Sequence, residues 1–217
     1  MFTTTTLRRV LAATTLSLAS LAAQAGLINV DASNSGWYTS SGSQNGTTAN
    51  LNADSSGPAG QTRNNWLGFD LTGVTGTIVS ARLEVASDPQ NDSGQLFSWS
   101  GVSTPYASLG TVSSVAIFND LGDGPIYAQG THTAGIINLF DINGAGIAAL
   151  NAALGSMWAI GGSHDGAGGI DAFGFTSGVN QGDHLRLVLN TAAVPEPTGL
   201  ALCGLGIAAF GARRRRV

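Results

Sequence analysis

The sequence predicts an all-β protein, a single antiparallel β-sandwich with one short helix, set between two terminal segments outside the fold. Three observations carry this reading. Several segments alternate apolar and polar residues with a period of two. Gly, Asn, Asp, Ser and Pro separate those segments, as turn chemistry requires. No strand–helix–strand alternation repeats along the chain, which argues against a parallel α/β sheet.

In chain order, residues 1–25 come first and have the three parts of a secretory signal. Arg8 and Arg9 are the charged start, Val10 to Ala23 the apolar stretch, and Ala23-Gln24-Ala25 a small-x-small cleavage site. Signal peptidase is therefore an expected partner, with Gly26 as the mature start. The body runs from residue 26 to 193, a length that suits one domain.

Leu27 to Ala32 is the first strand candidate. Ser33 to Asn50 and Ala53 to Asn65 are rich in Gly, Ser and Asn. They read as surface loops or a loosely held N-terminal strand, with a further candidate at Thr47 to Ala53. In Trp66 to Leu71 the side chains of Leu67, Phe69 and Leu71 share one face. In Ile78 to Ala86, Val79, Ala81, Leu83 and Val85 point one way and Arg82 and Glu84 the other. Gln95 to Trp99, Val112 to Phe118, Gly135 to Ile142, Met157 to Gly161 and Ile170 to Thr176 are further candidates. Leu185, Leu187 and Leu189 alternate with Arg186, Val188 and Asn190 in the last one. The single helix is expected after Asn143 as cap, with Ile147, Leu150 and Leu154 on one stripe and Gly155 as the stop.

The far end, residues 194–217, reads Val194-Pro195-Glu196-Pro197, then an apolar run from Thr198 to Ala212, then Arg213-Arg214-Arg215-Arg216-Val217. Two prolines keep the first part out of any helix. The apolar run spans about 22 Å as a helix, slightly short of a bilayer core of about 30 Å. Four Arg hold the last residues on the cytoplasmic side by the positive-inside rule, so the inner membrane is an expected partner and the body lies across it.

Charge separates the ends from the body. All nine basic residues are Arg, and six lie in the two terminal clusters. Three Arg against 13 acidic residues leave the stretch between them about ten charges negative. Such a body lacks the basic face that nucleic acid requires. The one cysteine, Cys203, excludes an intramolecular disulfide.

The order Pro195-Glu196-Pro197, a Gly/Leu/Ala-rich run with Gly199, Gly204, Gly206 and Gly211, and a terminal Arg cluster resembles the PEP-CTERM sorting signal of Gram-negative bacteria. The resemblance implies processing by an exosortase, a membrane cysteine protease. It implies traffic to the cell surface alongside exopolysaccharide, with transient anchoring by the C-terminal helix. The body also looks like a carbohydrate-binding-type jelly roll of secreted bacterial proteins. The carrying residues are Phe69-Asp70-Leu71, Ala81-Arg82-Leu83-Glu84-Val85, Ala148 to Gly155, Phe173-Gly174-Phe175 and Leu185 to Leu189.

Candidate chemistry in the body is sparse. Gly161-Gly162-Ser163-His164-Asp165-Gly166 has Asp where a nucleophile elbow needs its second Gly, and a triad draws its members from separate segments. Gly144-Ala145-Gly146-Ile147-Ala148-Ala149 fits a dinucleotide fingerprint, yet Gly204 to Ala209 in the apolar tail fits equally well. His132, His164 and His184 lie in unrelated contexts, which gives zinc no support. Asp120 and Asp123 offer the best loop for a structural calcium, while the loop from Asp141 fails at Ala145 and Ala152. Only Glu84 and Glu196 are Glu, one on an alternating strand and one in the tail. Trp37, Tyr38, Trp99 and Tyr106 have polar neighbours, so Trp37 and Trp99 are expected sugar contacts, while Trp66 and Trp158 read as core. The expectation is a non-catalytic exported protein with no cofactor; a carbohydrate-binding module and a glycan hydrolase are the alternatives.

Overall fold

The structure, a computed structural model, describes residues 26–46, 53–54, 61–165, 171–173 and 184–192. The expected signal segment, sorting tail and terminal helices lie outside them. The strands are β1 (Gly26–Thr39), β2 (Gln44–Gly46), β3 (Ala53–Asp54), β4 (Arg63–Asp70), β5 (Thr77–Ala86) and β6 (Leu96–Gly101), followed by β7 (Ile126–Thr131), β8 (Ile137–Asp141), β9 (Met157–His164), β10 (Asp171–Ala172) and β11 (Leu185–Ala192). Two helices, α1 (Val115–Asp123) and α2 (Gly144–Ala152), and a 3-10 turn at Tyr106–Ser108 complete the set.

The architecture is sandwich-like but built from one sheet. Its order is β7-β6-β9-β4-β1-β11-β5-β8, with β2 added beside β1. The antiparallel sheet curls until it is nearly closed, and its edge strands β7 and β8 lie against each other. Strands β3 and β10 pair separately, Asp171 opposite Asp54.

Period-two alternation decides what faces the interior. Leu67, Phe69 and Leu71 of the β4 segment point inward with Phe97 and Trp99 of β6, Ile160 of β9, Leu83 and Val85 of β5, and Leu185, Leu187 and Leu189 of β11. The outer face of β4, β6 and β9 is also buried, because α1 packs across it. There Tyr38, Trp66, Leu109, Ile117 and Leu121 make a second apolar cluster. Strand β4 thus buries two faces, with Trp66 directed to one and Leu67 to the other.

Helix α2 forms where the sequence places it. The Asn143 side chain accepts from the Gly146 amide at 3.0 Å, Leu150 is buried, and Gly155 turns the chain at φ +78°. It packs on β5 and β7. Asn151 fixes it to β5, accepting from Ile78 N and donating to Ile78 O, both at 2.9 Å.

Several expectations are corrected or narrowed. The segment Val112 to Phe118 is not a strand; it leads into α1, capped by Ser114 through the Ala116 amide, with Ile117 and Leu121 as its buried i,i+4 pair. A second helix therefore joins the one expected. Of the two readings of Ser33 to Asn50, the strand holds for residues 33–39, which continue β1 and pair firmly with β4 as far as Thr39 opposite Arg63. In β5 the alternation breaks at its start, so Ile78 is buried and Val79 exposed. Arg82 and Glu84 do face outward, where Arg82 pairs with Asp141 of β8 and Glu84 with His184, just before β11.

Candidate functional site

The interior of the sheet differs between its two ends. At one end α2 stands beside Phe69, Leu71, Ile78, Ile142 and Trp158, all apolar and all buried. Aromatic rings meet there, Trp158 lying 6.0 Å from Phe69 and stacked on Tyr127 at 6.4 Å. At the other end the inward residues turn polar. Register fixes them: Thr39 and Trp37 of β1, Arg63 and Asn65 of β4, His164 and Gly162 of β9, and Phe97 and Trp99 of β6 stand opposite one another in sequence.

One row crosses four strands, Trp37 opposite Asn65, Asn65 opposite Gly162, and Gly162 opposite Trp99. Asn65 and Trp99 are fully buried and Trp37 is half-buried. The Arg63 guanidinium lies over the Trp37 ring, 4.7 Å from its centroid. Gly162 keeps the row close, since a Cβ there would strike Asn65 Oδ1, Phe97 and Trp99. Its neighbour Gly161 points to the other face and against Leu121 of α1. The amide nitrogen and oxygen of Asn65 and the indole nitrogens of Trp37 and Trp99 are buried without a hydrogen-bond partner. Buried polar atoms are ordinarily paired, so this concentration is unusual.

Beside this row lies a second polar group, tied together by side-chain hydrogen bonds. His132 and Ser87 are buried, with Ser87 Oγ and His132 Nε2 2.7 Å apart. Asn91 Nδ2 donates to Ser87 Oγ at 3.1 Å. Asn138 clasps Thr133, accepting from its amide at 2.8 Å and donating to its carbonyl at 2.9 Å. The Phe173 ring stands 4.3 Å from the His132 ring. Burial pushes the His132 imidazole down to about 4, with the positive field of His164 adding to that and the Asp92 backbone opposing it. The histidine is thus a neutral tie between the loop after β5 and the loop after β7.

The other sequence candidates are placed as follows. Asp120 lies on α1 and not in a loop. Its carboxylate accepts from the amides and hydroxyls of Ser103 and Thr104, at 2.6 to 3.1 Å. Burial opposes its charge, but those donors together outweigh burial and hold the carboxyl below its usual range. Asp123 is exposed at the end of the same helix. Among the described residues no three His, Cys, Asp or Glu gather as a metal site. Ser163 and His164 follow each other on β9 and so face opposite ways, while Asp165 accepts from the Leu96 amide at 3.1 Å. Gly144 to Ala149 is simply the start of α2, where Gly146 lets the helix close on Tyr127 and Ile142.

Trp99 is no exposed platform. It packs 5.0 Å from Phe97 and 5.9 Å from Phe140. Trp66 and Trp158 are core, as expected. Sequence reasoning missed Asn65 and the Ser87–His132 pair. Asn65 sits in a polar run that carries no apolar signal, and Ser87 and His132 are separated by 45 residues.

Residues 193–216 match the PEP-CTERM protein-sorting motif. They include Pro195, Glu196, Pro197 and Arg213 to Arg216. The motif marks an exported protein recognised by an exosortase-type processing enzyme and anchored by its C-terminus before processing. No curated protein matches the chain. Among the described residues no helix is long and apolar enough to cross a membrane.

Proposed function

We propose that the chain is a non-catalytic protein of the cell surface or extracellular matrix, delivered through a signal peptide, trimmed at its tail by an exosortase-like protease, and working alongside exopolysaccharide. The observation that carries this reading is the sorting motif at residues 193–216. A non-catalytic body agrees with the way its polar groups are used. Asp120 is consumed by Ser103 and Thr104, and Ser163 and His164 diverge.

Mass spectrometry of the exported form tests it. The expected product begins at Gly26 and lacks everything beyond roughly Pro197. A product that keeps Val217 sinks the reading. A carbohydrate-binding module is the second reading, favoured by the half-buried Trp37 with Arg63 across its ring. Retention of the full chain on immobilised glycan, lost in Trp37→Ala, is its expected signature.

A further inference from the structure

We propose that the α2 end of the sheet is a lipid-docking surface, laid against the phospholipid bilayer while the C-terminal anchor is in place. The inference rests on the anchoring that the sorting motif indicates and adds to it the face that meets the membrane. The first argument is where the chain leaves the body. β1 begins at this end, since its Ala32 pairs with Phe69 and its Thr39 with Arg63 at the other end. β11 is hydrogen-bonded between β1 and β5 in an antiparallel sheet, so it runs back toward α2 and ends there at Ala192. Arg186 of β11 and Asp31 of β1, 2.8 Å apart, hold the two strands side by side. Only residues 193–197 separate Ala192 from the apolar run that starts at Thr198. Fully extended, that tether reaches roughly 20 Å. The eight residues of β9, which lead from the apolar end to the polar one, rise roughly 26 Å. The tether is therefore too short to let the polar end reach the bilayer, and it holds the α2 end next to it.

The second argument is what this end displays. Residues 26–30, 71–81, 142–156 and 187–192 build it, and none of them is charged. Three strands begin here, and each leaves one apolar side chain open: Leu27 of β1 at 72% exposure, Val79 of β5 at 54% and Ile126 of β7 at 48%. Ile126 is tied to the helix, its carbonyl accepting from the Asn143 cap at 2.7 Å. α2 itself leaves Ala145, Ala148 and Ala152 exposed. Two carboxylates at the margin are engaged, Asp70 by the amide and hydroxyl of Thr72 and Asp141 by Arg82. Asp88, Asp92 and Asp165 lie at the opposite end, away from the negative potential of an anionic bilayer. Three aliphatic side chains alone would bind lipid weakly. On so short a tether the contact is intramolecular, at an effective concentration on the order of millimolar, so a weak contact suffices.

The full chain reconstituted in vesicles of phosphatidylethanolamine and phosphatidylglycerol tests the surface. Cys203→Ser removes the native thiol, and a nitroxide is attached through Val79→Cys, Leu139→Cys or Gln90→Cys, all exposed positions. Power-saturation EPR compares collision with oxygen, which concentrates in lipid, and with a water-soluble nickel chelate. The expected result is nickel access at position 79 several-fold below that at position 90, which lies in the loop after β5 at the polar end. Position 139, on the outer face of β8, should match position 90. Leu27→Asp in the chain labelled at 79 should return nickel access toward the level at 90; Ile126→Asp gives the same answer if the first variant does not fold. Equal nickel access at 79 and 90, shielding at 139 in place of 79, or shielding at 79 that the aspartate leaves unchanged each overturn the proposal. A chain that does not float with the vesicles loses the anchor and this surface together. One that floats with position 79 open to nickel keeps the anchor and loses only the surface.

Discussion

The two ends of the sheet interior share strands yet are held together by different physics. Beside α2 the strands present Phe69, Leu71, Ile78 and Trp158, and stability there comes from area removed from water. At the opposite end β4 presents Asn65 and β8 presents Asn138, the loops after β5 and β7 bring in Ser87 and His132, and order comes largely from hydrogen bonds with fixed partners. Apolar packing tolerates changes of pH and loses stability when atoms are removed. A buried polar network behaves the other way round, since a proton in the wrong place is enough to disturb it. The difference teaches where the molecule is robust and where it is specific.

The comparison is most sharply tested by truncation at the apolar end. Phe69→Ala should lower unfolding free energy by about 3–5 kcal/mol, read by chemical denaturation. A loss under about 1 kcal/mol there would mean the ring is not part of a close-packed core. Next in size is acid. His132 holds its proton only near pH 4 when folded, against the ordinary value of 6.5 in the unfolded chain. Below 6.5 the unfolded state binds more protons, so stability is fully present above about 6.5 and declines as pH falls toward 4. The expected decline over that window is on the order of 2–3 kcal/mol, and His132→Gln should flatten it. An equally steep wild-type and variant profile would place the acid sensitivity elsewhere.

A smaller effect is expected at the bond between helix and sheet. Asn151→Ala strands the Ile78 amide and carbonyl and should cost about 1–3 kcal/mol, with faster hydrogen exchange at Ile78. Smallest is the outer surface. Arg186 donates to Asp31 at 2.8 Å, but Asp31 is 73% exposed. Arg186→Gln should therefore change stability by no more than about 1 kcal/mol, and added salt should erase the difference.

These ends were unequally legible in the sequence. The apolar one announces itself through alternation: Leu67, Phe69 and Leu71 or Leu185, Leu187 and Leu189 can only be strand faces over one core. Asn143 and Gly155 bracket α2 because cap and stop are local chemistry. The polar end is silent for the same reason. Asn34, Ser35, Asn64 and Asn65 look like loop, yet they lie in β1 and β4, where partner strands rather than apolar periodicity hold them. β7 offered only Ala128 to the core and passed unseen. Residues 112–118 were misread because Val112, Val115 and Ile117 have strand-like branching, while the decisive signal was the four-residue spacing of Ile117 and Leu121. The sorting motif was fully legible, since prolines, apolar run and arginines sit in order on the chain.

β11 is the last strand made and lies between β1 and β5. Without it the sheet falls into two separate pieces, one running from β7 to β1 and one consisting of β5 and β8. A polypeptide emerging N-terminus first therefore cannot weld those pieces until residues 185–192 arrive. Its completion is a late, long-range zippering step, slow by virtue of the sequence distance it spans. Closure of the sheet thus waits for the last described strand, which ends just before the sorting motif at residues 193–216.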